Sequence, residues 1–279
     1  MYEELLETAL AAAQAGADVI QPFFRHEGLQ IGRKGTNDFV TEADHRSEAA
    51  VLAEIHRRFP DHRILAEEGS GAGHGSGEHE WLIDPLDGTT NFLQGLPVYC
   101  VSVACRKGDE LLAGVIHDPE GRNVFKASRA GGAFWNGRPM SVSPQSGLKG
   151  AFLATGYPFR ALPTLDVYLA VFREVFLQAK AIRRCGAAAL DLAYTAAGVY
   201  DGFFEFRLSP WDIGAGVLMI REAGGVVSDL DGGEQFFQGG NIVAGNPPVH
   251  LELQAAVARH ASETEIDRLN PIPTLEPVG

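Results

Sequence analysis

Three acidic sites in this chain of 279 residues have the residue types and spacing to do chemistry. Glu67-Glu68-Gly69 follows the apolar Ile64-Leu65-Ala66, and Asp84-Pro85-Leu86-Asp87-Gly88-Thr89-Thr90 follows Trp81-Leu82-Ile83. Asp212 follows Ser209-Pro210-Trp211 and opens a helical pattern. Each lies at the edge of an element, where ligand sites of α/β folds collect. Pro85 stops a strand and Gly88 permits a sharp turn, so Asp84 and Asp87 can face one point. At a separation of ~4 Å and an effective dielectric near 20 they would repel by roughly 4 kcal/mol. A hard divalent cation removes that repulsion, and oxygen ligands suit Mg²⁺, Mn²⁺ or Ca²⁺. The same pair could instead cap a turn or the next helix. Thr89-Thr90-Asn91 adds hydroxyls and backbone N–H groups at a helix start, an anion site beside a cation site. That pairing indicates phosphate chemistry. Asp212 also fits a capping box with proline at the first helical position, and Glu67-Glu68 alone could be surface acids.

Elements must position these groups. Residues 2–24 put Tyr2, Leu5, Leu6, Ala9, Ala13, Ala17, Ile20 and Phe24 on one helical stripe, ending near Pro22. Thr41-Glu42-Ala43-Asp44 reads as a helix cap, with Leu52, Ile55 and Phe59 inward and a stop at Pro60. Strands are expected at Arg63–Ala66, Trp81–Asp84, Val98–Arg106, Leu111–His117 and Asn123–Ala127, largely antiparallel. Beyond about residue 145 the pattern alternates strand and helix. Strands are expected at Ala151–Ala154, Ala181–Arg184, Phe203–Phe206 and Val226–Asp229. Helices are expected at Thr164–Ala179, Ala187–Ala197 and Asp212–Ala223. This predicts an N-terminal α+β lobe over 1–145 with the metal-binding motifs and a C-terminal α/β lobe over 146–265 that completes the site. Residues 266–279 read as a loose tail. The glycine-rich Gly69–Gly77 stretch lacks the Gly-Lys-Ser/Thr ending of a nucleotide phosphate loop and reads as a surface loop.

Composition narrows the function. Hydrophobic residues make up 45% and charged residues 21%, which suits a globular protein. No apolar run reaches the ~18–20 residues of a membrane helix, and the acidic start, with Glu3, Glu4 and Glu7, is unlike a secretory signal. A net charge of −13 without a basic face argues against nucleic-acid binding. Bound cations can reverse the local sign, so an anionic substrate stays open. Cys100, Cys105 and Cys185 form no paired motif and read as free thiols of a cytoplasmic protein.

The run Trp81-Leu82-Ile83-Asp84-Pro85-Leu86-Asp87-Gly88-Thr89-Thr90-Asn91-Phe92 resembles the signature of the inositol monophosphatase family. Trp211-Asp212-Ile213-Gly214-Ala215-Gly216 with Glu222-Ala223-Gly224-Gly225 resembles the family's second signature. Lys34-Gly35-Thr36-Asn37-Asp38-Phe39-Val40-Thr41-Glu42-Ala43-Asp44, Glu67-Glu68, Asn136-Gly137 and Asp201-Gly202-Phe203-Phe204-Glu205 follow in the family's order. The resemblance covers roughly residues 1–260, and Arg183-Arg184-Cys185-Gly186-Ala187-Ala188-Ala189-Leu190-Asp191-Leu192 is similar to its bacterial branch. It implies a layered α-β-α-β-α sandwich, a homodimer and a Mg²⁺-dependent phosphomonoesterase with two to three metal ions, for which Mn²⁺ can substitute. By resemblance Glu67, Asp84 and the Leu86 carbonyl hold one metal; Asp84, Asp87 and Asp212 hold the second; Glu67 also serves a weaker third site. Asp38 and Thr89 resemble the pair that orients the attacking water, and Gly88 and Thr89 would donate N–H groups to the phosphate. Glu205, Gly186 and Ala188 would form the substrate wall. Gln94, Ala187, Arg207 and Ser209 depart from the family's usual residues, and the departures at Ala187, Arg207 and Ser209 put substrate identity in doubt rather than reaction type.

The expected reaction is direct displacement by metal-activated water on inositol 1-phosphate, a small phosphorylated polyol. Alternatives are fructose 1,6-bisphosphate, a 3′-phosphoadenosine nucleotide, histidinol phosphate, or a regulatory binding protein on the same fold. Arg207 is the residue that would hold a second phosphate if it turned inward. Strand alternation instead puts Glu205 and Arg207 on one face, where they would pair.

Overall fold

A computed structural model describes residues 2–26, 31–35, 38–69, 75–159 and 161–270. Helix α1 (Tyr2–Ile20) buries Leu5, Ala9, Ala12, Ala13, Ala17 and Ile20 at helical spacing, and Pro22 turns the chain into one 3₁₀ turn at Gln21–Phe23. Strands β1 (Ile31–Gly35) and β2 (Asp38–Thr41) form a small antiparallel sheet. Helix α2 (Glu42–Arg58) starts at a reciprocal capping box between Thr41 and Asp44.

A seven-stranded sheet follows. It comprises β3 (Arg63–Ala66), β4 (His79–Asp87), β5 (Cys100–Lys107), β6 (Glu110–Asp118), β7 (Asn123–Ser128), β8 (Gly132–Trp135) and β9 (Arg138–Pro139), in sequence order across the sheet. Only β3 and β4 run parallel; the rest are antiparallel. A short helix, α3 (Thr89–Leu93), leaves the end of β4.

The remaining chain builds a mixed five-stranded sheet. In chain order its elements are β10 (Phe152–Thr155), α4 (Leu165–Phe176), β11 (Ala181–Arg183), α5 (Ala188–Ala196), β12 (Gly202–Glu205), α6 (Pro210–Glu222), β13 (Val226–Ser228), α7 (Phe236–Gly239), β14 (Ile242–Gly245), α8 (Pro247–Ala258) and α9 (Glu263–Leu269). The strand order is β11-β10-β12-β14-β13.

Three apolar clusters show the layering. One joins α1 and α2 to the first face of the large sheet through Leu5, Ile20, Val51, Ile55, Trp81 and Val103. A second lies between the two sheets, where α5 and α6 contribute Leu192, Ile213, Val217 and Met219. A third packs α4 and α8 on the outer face of the small sheet through Val171, Val175, Phe204, Val243 and Leu253. The result is the expected α-β-α-β-α sandwich. Helix α6 is sealed on nearly every side over its middle turns, where Ile213–Ile220 are all buried and apolar. A β-carbon at Gly216 would sit 2.4 Å from Leu192 Cβ; glycine there lets α5 and α6 touch.

Some elements were not visible in the pattern of residues. Strands β8, β9 and β14 and helices α8 and α9 lie outside the expected set. The first residues of the stretch expected as a loose tail are ordered: α9 continues to Leu269, Ile266 is buried, and Arg207 ties Asp267 and the Asn270 carbonyl to the body, while residues 271–279 lie outside the described residues. Among the described residues, no helix is long and apolar enough to cross a membrane.

Candidate active site

A cavity of about 410 Å³ opens where β4, β12, α5 and α6 end or begin, and Glu67, Asp84, Asp87, Thr89 and Asp212 all line it. Strand β4 supplies the first part. Its register against β5 slips between Asp84 and Asp87, so the strand bulges at Pro85 and both carboxylates reach the same cavity. Ser47 Oγ donates to the Pro85 carbonyl (2.8 Å) and fixes the bulge from α2. Gly88 follows with φ of +90°, which favours glycine, and a β-carbon there would meet the Val98 carbonyl at 2.8 Å.

Asp84 is 1% exposed, and its Oδ1 accepts the Leu86 N–H at 3.0 Å. Burial, then the charges of Glu67, Asp87 and Asp212, hold its carboxyl well above the usual range, and the Glu67 side chain hydrogen-bonds it. Asp87 accepts the Ala189 N–H at 2.8 Å from the first turn of α5. Burial and the Asp212 charge nevertheless push Asp87 up to about 7. Asp212 is 6% exposed and accepts the Ser209 N–H at 2.7 Å, closing the capping box of α6. This carboxylate therefore caps its helix and faces the cavity with the other acids. Four acids crowded in low dielectric, with two of them driven toward the neutral form, are the donor set that a hard cation relieves. Among the described residues, no three His, Cys, Asp or Glu side chains converge on one point as a preformed cage.

Of the expected water-orienting pair, the structure describes the surroundings of Thr89. Thr89 Oγ1 lies 3.2 Å from Asp44 Oδ1 and 3.0 Å from the Leu86 carbonyl. The other oxygen of Asp44 accepts from Thr41 N and Thr41 Oγ1. The side chain of Asp38 lies outside the described residues, and the carboxylate seen on Thr89 is Asp44. The Thr-x-x-Asp pattern revealed Asp44 as a cap; its second oxygen serves a residue 45 positions away.

The substrate wall comes from the second sheet. Glu205, Gly186 and Ala188 line the same cavity as the acids. Asn91 Nδ2 spans the two parts, donating to the Val98 carbonyl (2.8 Å) and the Cys185 carbonyl (2.9 Å). Glu205 packs so closely on Gly156 that a β-carbon there would overlap its carboxyl group at 1.9 Å. Burial, then Asp191, pushes Glu205 well above the usual carboxyl range, while Arg184 opposes the shift. The Arg184 guanidinium lies over the rings of Tyr157 and Phe159 at 5.2 and 4.9 Å. The expected Glu205–Arg207 pair does not form. Arg207 takes a left-handed φ of +63° as β12 ends, which breaks the alternation, and its guanidinium bonds Asp267 (2.7 Å), Asn270 O and Gly239 O. Gly156 carries no sequence signal of this role; Asn91 and Asp191 lie in motifs of the sequence, but their contacts here are distant in the chain and not legible from spacing.

A model of the "Inositol monophosphatase family" matches residues 1–264. The chain belongs to that family. It is 44% identical over 264 residues to "Nus factor SuhB" of Pseudomonas aeruginosa, covering 92% of this chain and 97% of that one. It is 40% identical over 252 residues to "Inositol-1-monophosphatase" of Mesorhizobium japonicum, covering 90% and 95%. Among solved structures, the extragenic suppressor protein suhB from Bartonella henselae superposes with a TM-score of 0.88 at 39% identity, covering 92% of this chain and all of that one. The inositol monophosphatase from Anabaena superposes at 0.83 with 37% identity, covering 93% and 97%.

Proposed function

We propose that this protein is a cytoplasmic, homodimeric, Mg²⁺-dependent phosphomonoesterase that hydrolyses inositol 1-phosphate. The observation that carries the reading is the convergence of Glu67, Asp84, Asp87 and Asp212 on one cavity with the Asp44–Thr89 pair and Glu205. The donors are all oxygens, which suits Mg²⁺ or Mn²⁺ better than a thiophilic metal. Glu67, Asp84, Asp87, Asp212 and the Leu86 carbonyl would hold the ions, which supply Lewis-acid charge and make water a stronger nucleophile at neutral pH. Thr89 donates its hydroxyl proton to Asp44 and keeps its oxygen lone pairs for an O–H of the attacking water. Gly88 and Thr89 offer backbone N–H groups to the phosphate. Glu205 accepts substrate hydroxyls at the far wall. The three free thiols support a reducing compartment.

Against fructose 1,6-bisphosphate, Arg207 on the cavity lining is engaged by Asp267 and the Asn270 carbonyl, which leaves Arg184 as the other guanidinium that a second phosphate could meet. Relatives bearing the name Nus factor favour a second reading, a Nus-factor role alongside hydrolysis. Phosphate release from inositol 1-phosphate, fructose 1,6-bisphosphate and a 3′-phosphoadenosine nucleotide, with Mg²⁺ and with chelator, tests the first reading. Inositol 1-phosphate should be preferred, the chelator should abolish turnover, and Asp84→Asn should remove nearly all activity from a folded protein. Substantial turnover by that variant would sink the assignment. A Nus-factor role would survive Asp84→Asn.

A further inference from the structure

One acid of the cavity has no part in the metal and water roles or in the role given to Glu205. Asp191 lies in the first turn of α5, is 2% exposed, and lines the cavity with Glu205. Its Oδ1 is buried without a hydrogen-bond partner among the described residues. Such an atom is costly in a folded protein unless something else completes it. Local structure gives no such use. No side chain caps the start of α5, and the Ala189 N–H there goes to Asp87. The Arg184 guanidinium is spread over Tyr157 and Phe159 rather than paired with the carboxyl. Glu205, close enough to feel the charge of Asp191, is seated against the bare Cα of Gly156. The part of the cavity lining built by β12 and α5 therefore carries two neighbouring carboxyl groups and one unfilled acceptor.

We infer that Asp191 is a specificity-determining residue that accepts a substrate hydroxyl beside the one accepted by Glu205, so that the enzyme selects phosphorylated polyols with two adjacent free hydroxyls. This rests on the phosphatase reading above. Two acceptors side by side match the two O–H donors of a vicinal diol. A substrate lacking the diol would leave Asp191 buried and unfilled, and sites built around a polar partner reject analogues without it. The carboxyl survives in the free enzyme at a cost in stability that bound substrate offsets.

The test compares wild type, Asp191→Ala and Asp191→Asn in saturating Mg²⁺ with inositol 1-phosphate and with phenyl phosphate, which has no hydroxyl. Asp191→Ala should raise KM for inositol 1-phosphate about tenfold, the loss expected for one hydrogen bond at the upper end of the usual range. Its KM for phenyl phosphate and the Mg²⁺ concentration for half-activation should stay as in wild type. Asp191→Asn, which keeps one acceptor oxygen, should fall between. Asp191→Ala should melt no lower than wild type without substrate, because the buried oxygen without a partner is gone. A purely structural role would lower the melting temperature and leave the substrate preference unchanged, overturning the inference. Equal KM changes for both substrates, or a shifted Mg²⁺ requirement, would overturn it too. A wild type inert toward every phosphate ester would instead overturn the phosphatase reading itself, and the inference with it.

Discussion

The metal-free protein should become less stable as pH rises through the neutral range, and Asp87 should account for much of the change. Burial, then the Asp212 charge, raises Asp87 from its ordinary 3.8 to about 7. The folded state thus holds this proton more tightly than the unfolded chain. Its stabilising contribution is complete below the unfolded value and is lost as pH rises through the folded one. The loss approaches about 1.4 kcal/mol per pH unit, or roughly 4 kcal/mol across the window of about three units. For 279 residues, unfolding entropy is about 0.6 kcal/mol/K, so the melting temperature should fall by roughly 7 °C from about pH 4 to about pH 7. Asp84, also raised, adds a change of the same sign. Asp87→Asn keeps the side-chain shape and an acceptor for the Ala189 N–H but cannot ionise. The assay is calorimetry of chelator-treated wild type and Asp87→Asn across this range. The variant should show a flatter pH profile and melt above wild type at about pH 8. Saturating Mg²⁺ should flatten the wild-type profile and, at ~100 times its dissociation constant, add about 2.7 kcal/mol for one site. A wild-type melting temperature that is flat or rising between about pH 5 and pH 7 in chelator, or the same slope in Asp87→Asn, would refute this account of the cluster.

Thr89→Ala should lower kcat by about 100-fold or more, while Thr89→Ser, which keeps the hydroxyl between Asp44 and Leu86, should stay within about tenfold of wild type. Intact-mass analysis during turnover should find no phosphoryl adduct; one on Thr89 would replace water orientation with covalent catalysis. Glu205→Gln should raise KM for inositol 1-phosphate more than for phenyl phosphate, and Gly156→Ala should copy it, because a β-carbon would occupy the carboxyl's place. Equal effects on both substrates would take Glu205 out of recognition. Arg207→Ala should lower stability by about 1–3 kcal/mol by freeing α9, measured by urea denaturation, without altering the kinetics of fructose 1,6-bisphosphate. A changed KM for that substrate would make Arg207, which lines the cavity, a substrate contact.

Sequence by itself determined what depends on neighbours in the chain. Helical spacing of small apolar residues marked α1, and the Thr41–Asp44 and Ser209–Asp212 boxes marked the starts of α2 and α6. Pro85 and Gly88 marked the turn that holds Asp84 and Asp87, and the motif around them led to the family. These signals are local because caps, turns and periodicity act within about one or two helical turns of sequence. Tertiary structure decided which groups meet. Asp44 reaches Thr89 across 45 positions and Asn91 reaches Cys185 across 94, contacts no spacing rule encodes. Arg207 turns from Glu205 to α9 because the strand ends one residue earlier than alternation assumed and the backbone goes left-handed there. Asp191 looks like an ordinary helix-start acid until packing buries it beside Glu205 with an oxygen unfilled. Burial and distant partners set the cost of each polar group, and both come from the packing of layers far apart in the chain.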